Sequence, residues 1–226
     1  MASPDALVGL MSQTLGLTRA ACESTWKELR SKNLVINSGK GKRGTKVGPA
    51  DCASFLLALG GAEHVKDSGD AVERYSNLVS DGAWPKNTPV FSAMAELGES
   101  HRLLEALTAV IATYAGAPFS NAAIALARGA ATIGLHQPTV HLILLSPLPR
   151  ARIEINRSYG VEYRTNDPKE MLRATPAQSE ARSKRRIAAS GDLQIRKQIS
   201  EITFAKLGKL LRQSPEPSLR NSARVR

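Results

Sequence analysis

The chain has 226 residues, 42% of them hydrophobic, enough to bury a sizeable core as one large domain or as a small domain beside a larger one. No apolar run reaches the roughly 20 residues of a membrane span. The N-terminus lacks the charged region, apolar core and cleavage site of a signal peptide, and two cysteines make no disulfide framework, so a cytoplasmic, reducing setting is expected. The net charge of +11 directs attention to phosphate-bearing partners or an anionic membrane surface. Its distribution is uneven: residues 19–46 carry a net +6 and 169–226 a net +9, around a middle, 47–168, of net −3.

Ser3-Pro4-Asp5 reads as a helix start, with a serine cap, a proline at the first position where its missing N–H costs nothing, and an acid in the first turn. The helix is expected to run through Leu7, Leu10 and Met11 to about Thr14, and Gly16 to stop it in the left-handed conformation. Thr18 caps a second helix whose Cys22, Trp26 and Leu29 recur at i, i+4 and i+7 and so face inward. Residues 34–36 (Leu-Val-Ile) and 45–47 (Thr-Lys-Val) read as strands flanking a loop of lysine, arginine and glycine.

A helix, then glycine, an apolar residue, Ser/Thr and a second helix resembles the helix-turn-helix of bacterial and phage regulators, and the two strands with their basic loop resemble the winged variety. The resemblance covers about the first 50 residues. It implies that Thr18, Arg19, Ala20, Glu23, Ser24 and Lys27 approach the major groove, with Lys40, Lys42, Arg43 and Lys46 on phosphates or the adjacent minor groove. Such domains usually have another helix before the pair. Here only residues 1–3 precede it, and the helix of 49–59 is the candidate to close the core. The whole chain is loosely similar to small uncharacterised proteins of α-proteobacterial phages and prophages, which open with an Asp-Ala-Leu-type helix, a helix-turn-helix and a G-x-G basic loop. That similarity implies a phage or host-regulatory setting and no particular activity.

Gly39, Gly41 and Gly44 also satisfy G-x-G-x-x-G, but the dinucleotide fingerprint requires a helix directly after it, and Thr45-Lys46-Val47-Gly48-Pro49 is strand and breaker. The phosphate-binding G-x-x-x-x-G-K-[ST] is missed because lysine and threonine are transposed, which misplaces both the ammonium and the magnesium-binding hydroxyl.

Further along, helices are expected over 49–59 (Cys52, Phe55, Leu56 and Leu59 inward), over 69–79 (Val72, Tyr75, Leu78 and Val79 inward), over 91–97 and over 100–114, with a short packed helix over 121–131. Residues 81–89 read as a surface loop. Residues 139–145, 151–155 and 160–164 then alternate as three strands of an antiparallel meander with Arg150, Arg152, Arg157 and Arg164 on a wet face. Residues 168–190 read as a basic linker or phosphate-tracking strap containing Lys184, Arg185 and Arg186. A helix over 192–212 follows, with an Ile/Leu stripe for docking or pairing, and then a disordered basic tail.

The expected fold is therefore α+β and mostly helical: a winged helix-turn-helix domain (1–60), a helical plus β-meander domain for dimerisation or an effector (61–168), a linker (169–191), a long C-terminal helix (192–212) and a tail (213–226). No metal-ligand spacing or nucleophile motif is present; Cys22 and Cys52 are single residues on apolar faces, and His136 and His141 have no third ligand near them in sequence. A non-enzymatic regulator that binds duplex DNA as a homodimer without a cofactor is the expected function. A packaging adaptor, such as a small terminase-like ring that recognises DNA, is the alternative from another class. A single-strand or RNA binder fits less well, because only 4% of residues are aromatic and little is available to stack on bases.

Overall fold

Two helix caps anticipated from spacing set the entrance to the fold. The computed structural model describes residues 2–36, 46–84, 97–116, 139–146, 148–156, 159–165 and 195–213. Ser3 Oγ accepts the Ala6 N–H at 3.2 Å ahead of α1 (Pro4–Leu15), and Thr18 Oγ1 accepts the Ala21 N–H at 3.2 Å ahead of α2 (Arg19–Ser31). Gly16 takes φ 66° and returns its N–H to the Ser12 carbonyl, as the turn requires. At the far end of α2 an asparagine does what glycine does after α1. Asn33 adopts φ 56°, and the Leu34 N–H reaches the Leu29 carbonyl at 2.9 Å, which turns the chain off the helix.

The centre of the protein is α3 (Pro49–Gly61), with Cys52, Ala53, Phe55, Leu56, Leu57 and Ala58 all buried. A helix apolar on nearly every side needs neighbours on every side. It packs against α2, α4 (Ser68–Ser76, entered through a 3₁₀ turn at Val65–Asp67), α5 (Leu103–Ala115) and the sheet. The Phe55 and Trp26 rings meet edge to face, 5.1 Å between centroids. Each fully buried leucine, such as Leu56, stabilises the fold by about 1.5–3 kcal/mol. One hydrophobic cluster runs from Leu7 to Leu207, so the α1–α2 pair and the sheet share a core.

The sheet contains β1 (Val79–Ser80), β2 (Val140–Ser146), β3 (Arg150–Ile155), β4 (Tyr159–Arg164) and β5 (Ile195–Ile199), all antiparallel, in the order β1-β4-β3-β2-β5. The β2–β3–β4 meander is the one expected, and Val140, Leu142, Leu144, Ile153, Ile155, Val161 and Tyr163 turn to the helical side. Glycine at position 60 lets α3 lie close on this face, because a Cβ there would come within 2.8 Å of the Leu144 side chain.

Three expectations are corrected. The helix expected over 192–212 divides: Ile195–Ile199 is β5 on the open edge of β2, and only Glu201–Gln213 is helix, here α6. Ile195 and Ile199 fit a period of four and a period of two alike, and the unsatisfied backbone edge of β2 decides for the strand. The helix expected over 69–79 stops at Ser76, and Val79 pairs with Arg164 as β1. The two wing strands also differ. Residues 34–36 form no strand, and Val47 makes its bridge to Ala2, with the Val47 N–H on the Ala2 carbonyl at 2.9 Å. The expected helices over 91–97 and 121–131, the segment 168–190 and the tail lie wholly or almost wholly outside the described residues.

Candidate nucleic-acid interface

The face of α2 opposite Cys22, Thr25, Trp26 and Leu29 is uncovered. Ala20, Ser24, Lys27 and Ser31, at i, i+4, i+7 and i+11, are all exposed. Thr18 is exposed as well, although its hydroxyl is engaged as the cap. Two of the expected groove-facing residues bind each other: Arg19 donates to Glu23 at 2.9 Å and also pairs with Asp5 of α1. These acids raise the arginine's pKa still further and spend its charge within the protein. Of the expected base-reading cations, Lys27 is the one whose charge is not paired among the described residues.

The loop of 37–45 lies outside the described residues, and with it Lys40, Lys42 and Arg43; Lys184, Arg185 and Arg186 lie outside them too. Its two feet are described, and one carboxylate holds both. Asp51, in the first turn of α3, accepts the Ile36 N–H on Oδ1 at 2.8 Å and the Gly48 N–H on Oδ2 at 2.9 Å. The Ala2–Val47 bridge ties the returning foot to the start of α1, and Lys46 stands exposed beside it. The described residues on either side of 37–45 are therefore held together by one carboxylate a few residues beyond α2. Spacing from Gly48-Pro49 could have marked Asp51 as a helix-capping acid, but not its reach to Ile36, which is fifteen residues back in sequence. Asp51→Ala is expected to leave the core intact, to cost about 0.5–2 kcal/mol through removal of the cap, and to make the loop more open to proteolysis. Limited digestion followed by mass spectrometry of cut sites within 37–45 checks this, and an unchanged digestion rate would count against the clasp.

No family model, curated protein or solved structure matches this chain.

Of the arginines expected on the outer sheet face, Arg150, Arg152 and Arg164 are described and exposed, and two of them are paired. Arg152 meets Glu154 at 2.9 Å and Glu162 at 3.5 Å, while Arg164 binds Glu162 and lies 3.7 Å from Asp81. The Arg164 guanidinium holds the Glu162 carboxyl below its usual range. Arg157 lies outside the described residues. A shallow cleft of about 240 Å³ opens beside α4, lined by Glu63, Asp67, Asp70 and Arg74, and its acids disfavour a phosphate.

Both cysteines are free and buried; burial pushes the Cys52 thiol up to about 12 and raises that of Cys22, so neither supplies a thiolate. Among the described residues no group of three or more His, Cys, Asp or Glu is arranged to hold a metal ion. One polar cluster was not anticipated. His101, 3% exposed, has Nδ1 at 2.8 Å from the Gly98 carbonyl, while its Nε2 receives the Trp84 Nε1–H at 3.2 Å and lies 2.8 Å from the Tyr163 hydroxyl. Trp84 has only a donor to offer, so Nε2 is the acceptor and the proton sits on Nδ1. Ser80 Oγ lies 3.2 Å from Nδ1, a spacing that resembles a serine–histidine dyad. With Nδ1 carrying a proton and Nε2 already taken, the ring has no nitrogen free to accept a proton from the serine. The cluster pins β1, β4 and the start of α5 together.

Proposed function

We propose that the protein binds duplex DNA sequence-specifically through a winged helix-turn-helix, as a transcriptional regulator of phage or bacterial type working as a cytoplasmic homodimer. The observation that carries this reading is the uncovered stripe of α2 beside a basic loop whose two feet share the Asp51 carboxylate. Helix α2 enters the major groove, Lys27, Ser24 and Ala20 face base edges, and Lys40, Lys42, Arg43 and Lys46 meet phosphates or the minor groove. Two features support a helix-turn-helix with a basic segment beside it, although the strand expected over 34–36 is absent: α3 packs as third helix through the Phe55–Trp26 contact, and Val47 is tied to Ala2. Among the described residues no helix is long and apolar enough to cross a membrane.

Selection from random duplexes, followed by sequencing, tests the reading directly. A consensus with two related half-sites is expected, and a selection that returns no consensus overturns it. Replacing Lys40, Lys42 and Arg43 by alanine is expected to weaken binding to every duplex. The slope of log K against log salt flattens by about 0.9 for each phosphate no longer neutralised, about 2.7 if all three side chains meet phosphates. An unchanged slope removes the loop from the interface. Light scattering that gives a ring of about eight copies in place of a dimer would transfer the same DNA-binding surface to a packaging adaptor.

A further inference from the structure

The chain's described cations divide into those already paired and those left open. Arg19, Lys32, Arg152 and Arg164 are each within ion-pair distance of carboxylates. Helix α6 presents the opposite case. Lys206, Lys209 and Arg212 are all exposed, none has an ion-pair partner among the described residues, and the one acid of the helix is Glu201 in its first turn. Lys206 and Lys209 continue a stripe that begins at Ile202, 55% exposed, and Arg212 flanks it. The other side of α6 is fixed: Phe204 and Leu207 are fully buried, the Phe204 ring stacks on Tyr114 of α5, and Gly208 lies against the Tyr114 backbone. Helix α1 packs against both α2 and α6, so α6 lies one helix away from α2.

We propose that this face of α6 is a second phosphate-binding surface, which holds the duplex backbone flanking the groove that α2 occupies. The inference rests on the duplex-DNA reading above and adds to it a surface not drawn from the helix-turn-helix. Lys206 to Arg212 spans about 9 Å of helix axis, over which a duplex carries about five phosphates. Three cations on a docked helix match that run without the ordering cost of cations on a loose segment. These residues carry charge and no base-reading geometry, so they add affinity and leave the choice of sequence to α2.

The test uses the full-length protein with Lys206, Lys209 and Arg212 all changed to glutamine, a good helix former at exposed positions, checked against the parent by thermal melting. Binding to a selected consensus duplex and to a scrambled one is titrated across salt, alongside sedimentation with vesicles containing anionic phospholipid. The expected result is weaker binding to both duplexes by the same factor, and a salt slope shallower by up to about 2.7. The preference for the consensus stays intact. If the parent binds duplexes and the variant does so with the same slope, the α6 surface is refuted and the helix-turn-helix reading stands. If the parent binds no duplex, the functional reading fails and takes this one with it. Loss of consensus preference in the variant overturns the phosphate role, because α6 would then read bases. Loss of vesicle binding with unchanged duplex binding overturns the proposal in favour of an anionic membrane surface.

Discussion

Gly208→Ala is expected to destabilise the protein by about 1–3 kcal/mol, although the same change in an open helix stabilises by about 0.5–1 kcal/mol. An added Cβ at this position would come within 2.3 Å of the Tyr114 carbonyl oxygen, 2.5 Å of its carbon and 2.7 Å of its Cβ. The obstacle is mostly backbone, the last turn of α5 against the middle of α6, so it cannot rotate away as a side chain can. Relief requires α5 and α6 to separate, which loosens the Phe204–Tyr114 stack and the buried Leu207. Gly9 in α1 supplies the control, because there a Cβ would find only the Arg19 guanidinium at an ordinary 3.6 Å. Gly9→Ala should therefore raise the urea midpoint and Gly208→Ala lower it. Equal shifts in the two variants would mean that α5 and α6 do not approach as described.

His101→Ala is expected to cost more, about 3–5 kcal/mol. It empties a ring-sized buried site and leaves the Trp84 N–H and the Tyr163 O–H without their shared acceptor. Tyr163→Phe keeps the ring and the Trp84–His101 bond, removes only the hydroxyl's contacts to His101 and Trp84, and should cost less, about 1–3 kcal/mol. Chemical denaturation of both variants separates loss of the central ring from loss of one hydroxyl of the cluster. Folded His101→Ala protein should bind duplex DNA with the parent's salt slope, since the cluster joins β1, β4 and α5 and lies outside the proposed interface. A changed slope would show that the cluster also positions that interface.

The elements legible in the sequence were those with local causes. Ser3 and Thr18 are short side chains that reach back to N–H groups three residues on, Gly16 meets no steric barrier at positive φ, and β2, β3 and β4 alternate at a period only an extended chain satisfies. The misread elements had two local solutions. Residues 195–199 suit a helix and a strand equally, and 34–36 is as apolar as a strand although no strand forms there and Val47 bridges Ala2 instead. The exposed stripe of α2 was legible from the burial of Cys22, Trp26 and Leu29. The pairing of Arg19 with Asp5 was not, because it depends on how two helices cross and joins residues fourteen apart in sequence.

By itself the sequence determined where the first two helices begin, which of their faces turn inward, and that positive charge gathers at both ends around an acidic middle; capping, periodicity and composition act within a few residues and need no knowledge of the fold. Only the tertiary structure decided that 195–199 completes a sheet, that Asp51 holds both feet of the basic loop, that Arg19 spends its charge on neighbouring acids, and that Lys206, Lys209 and Arg212 have no ion-pair partner among the described residues. Each of those depends on which distant groups come within hydrogen-bonding or Coulombic range, and that is set by packing on the shared core.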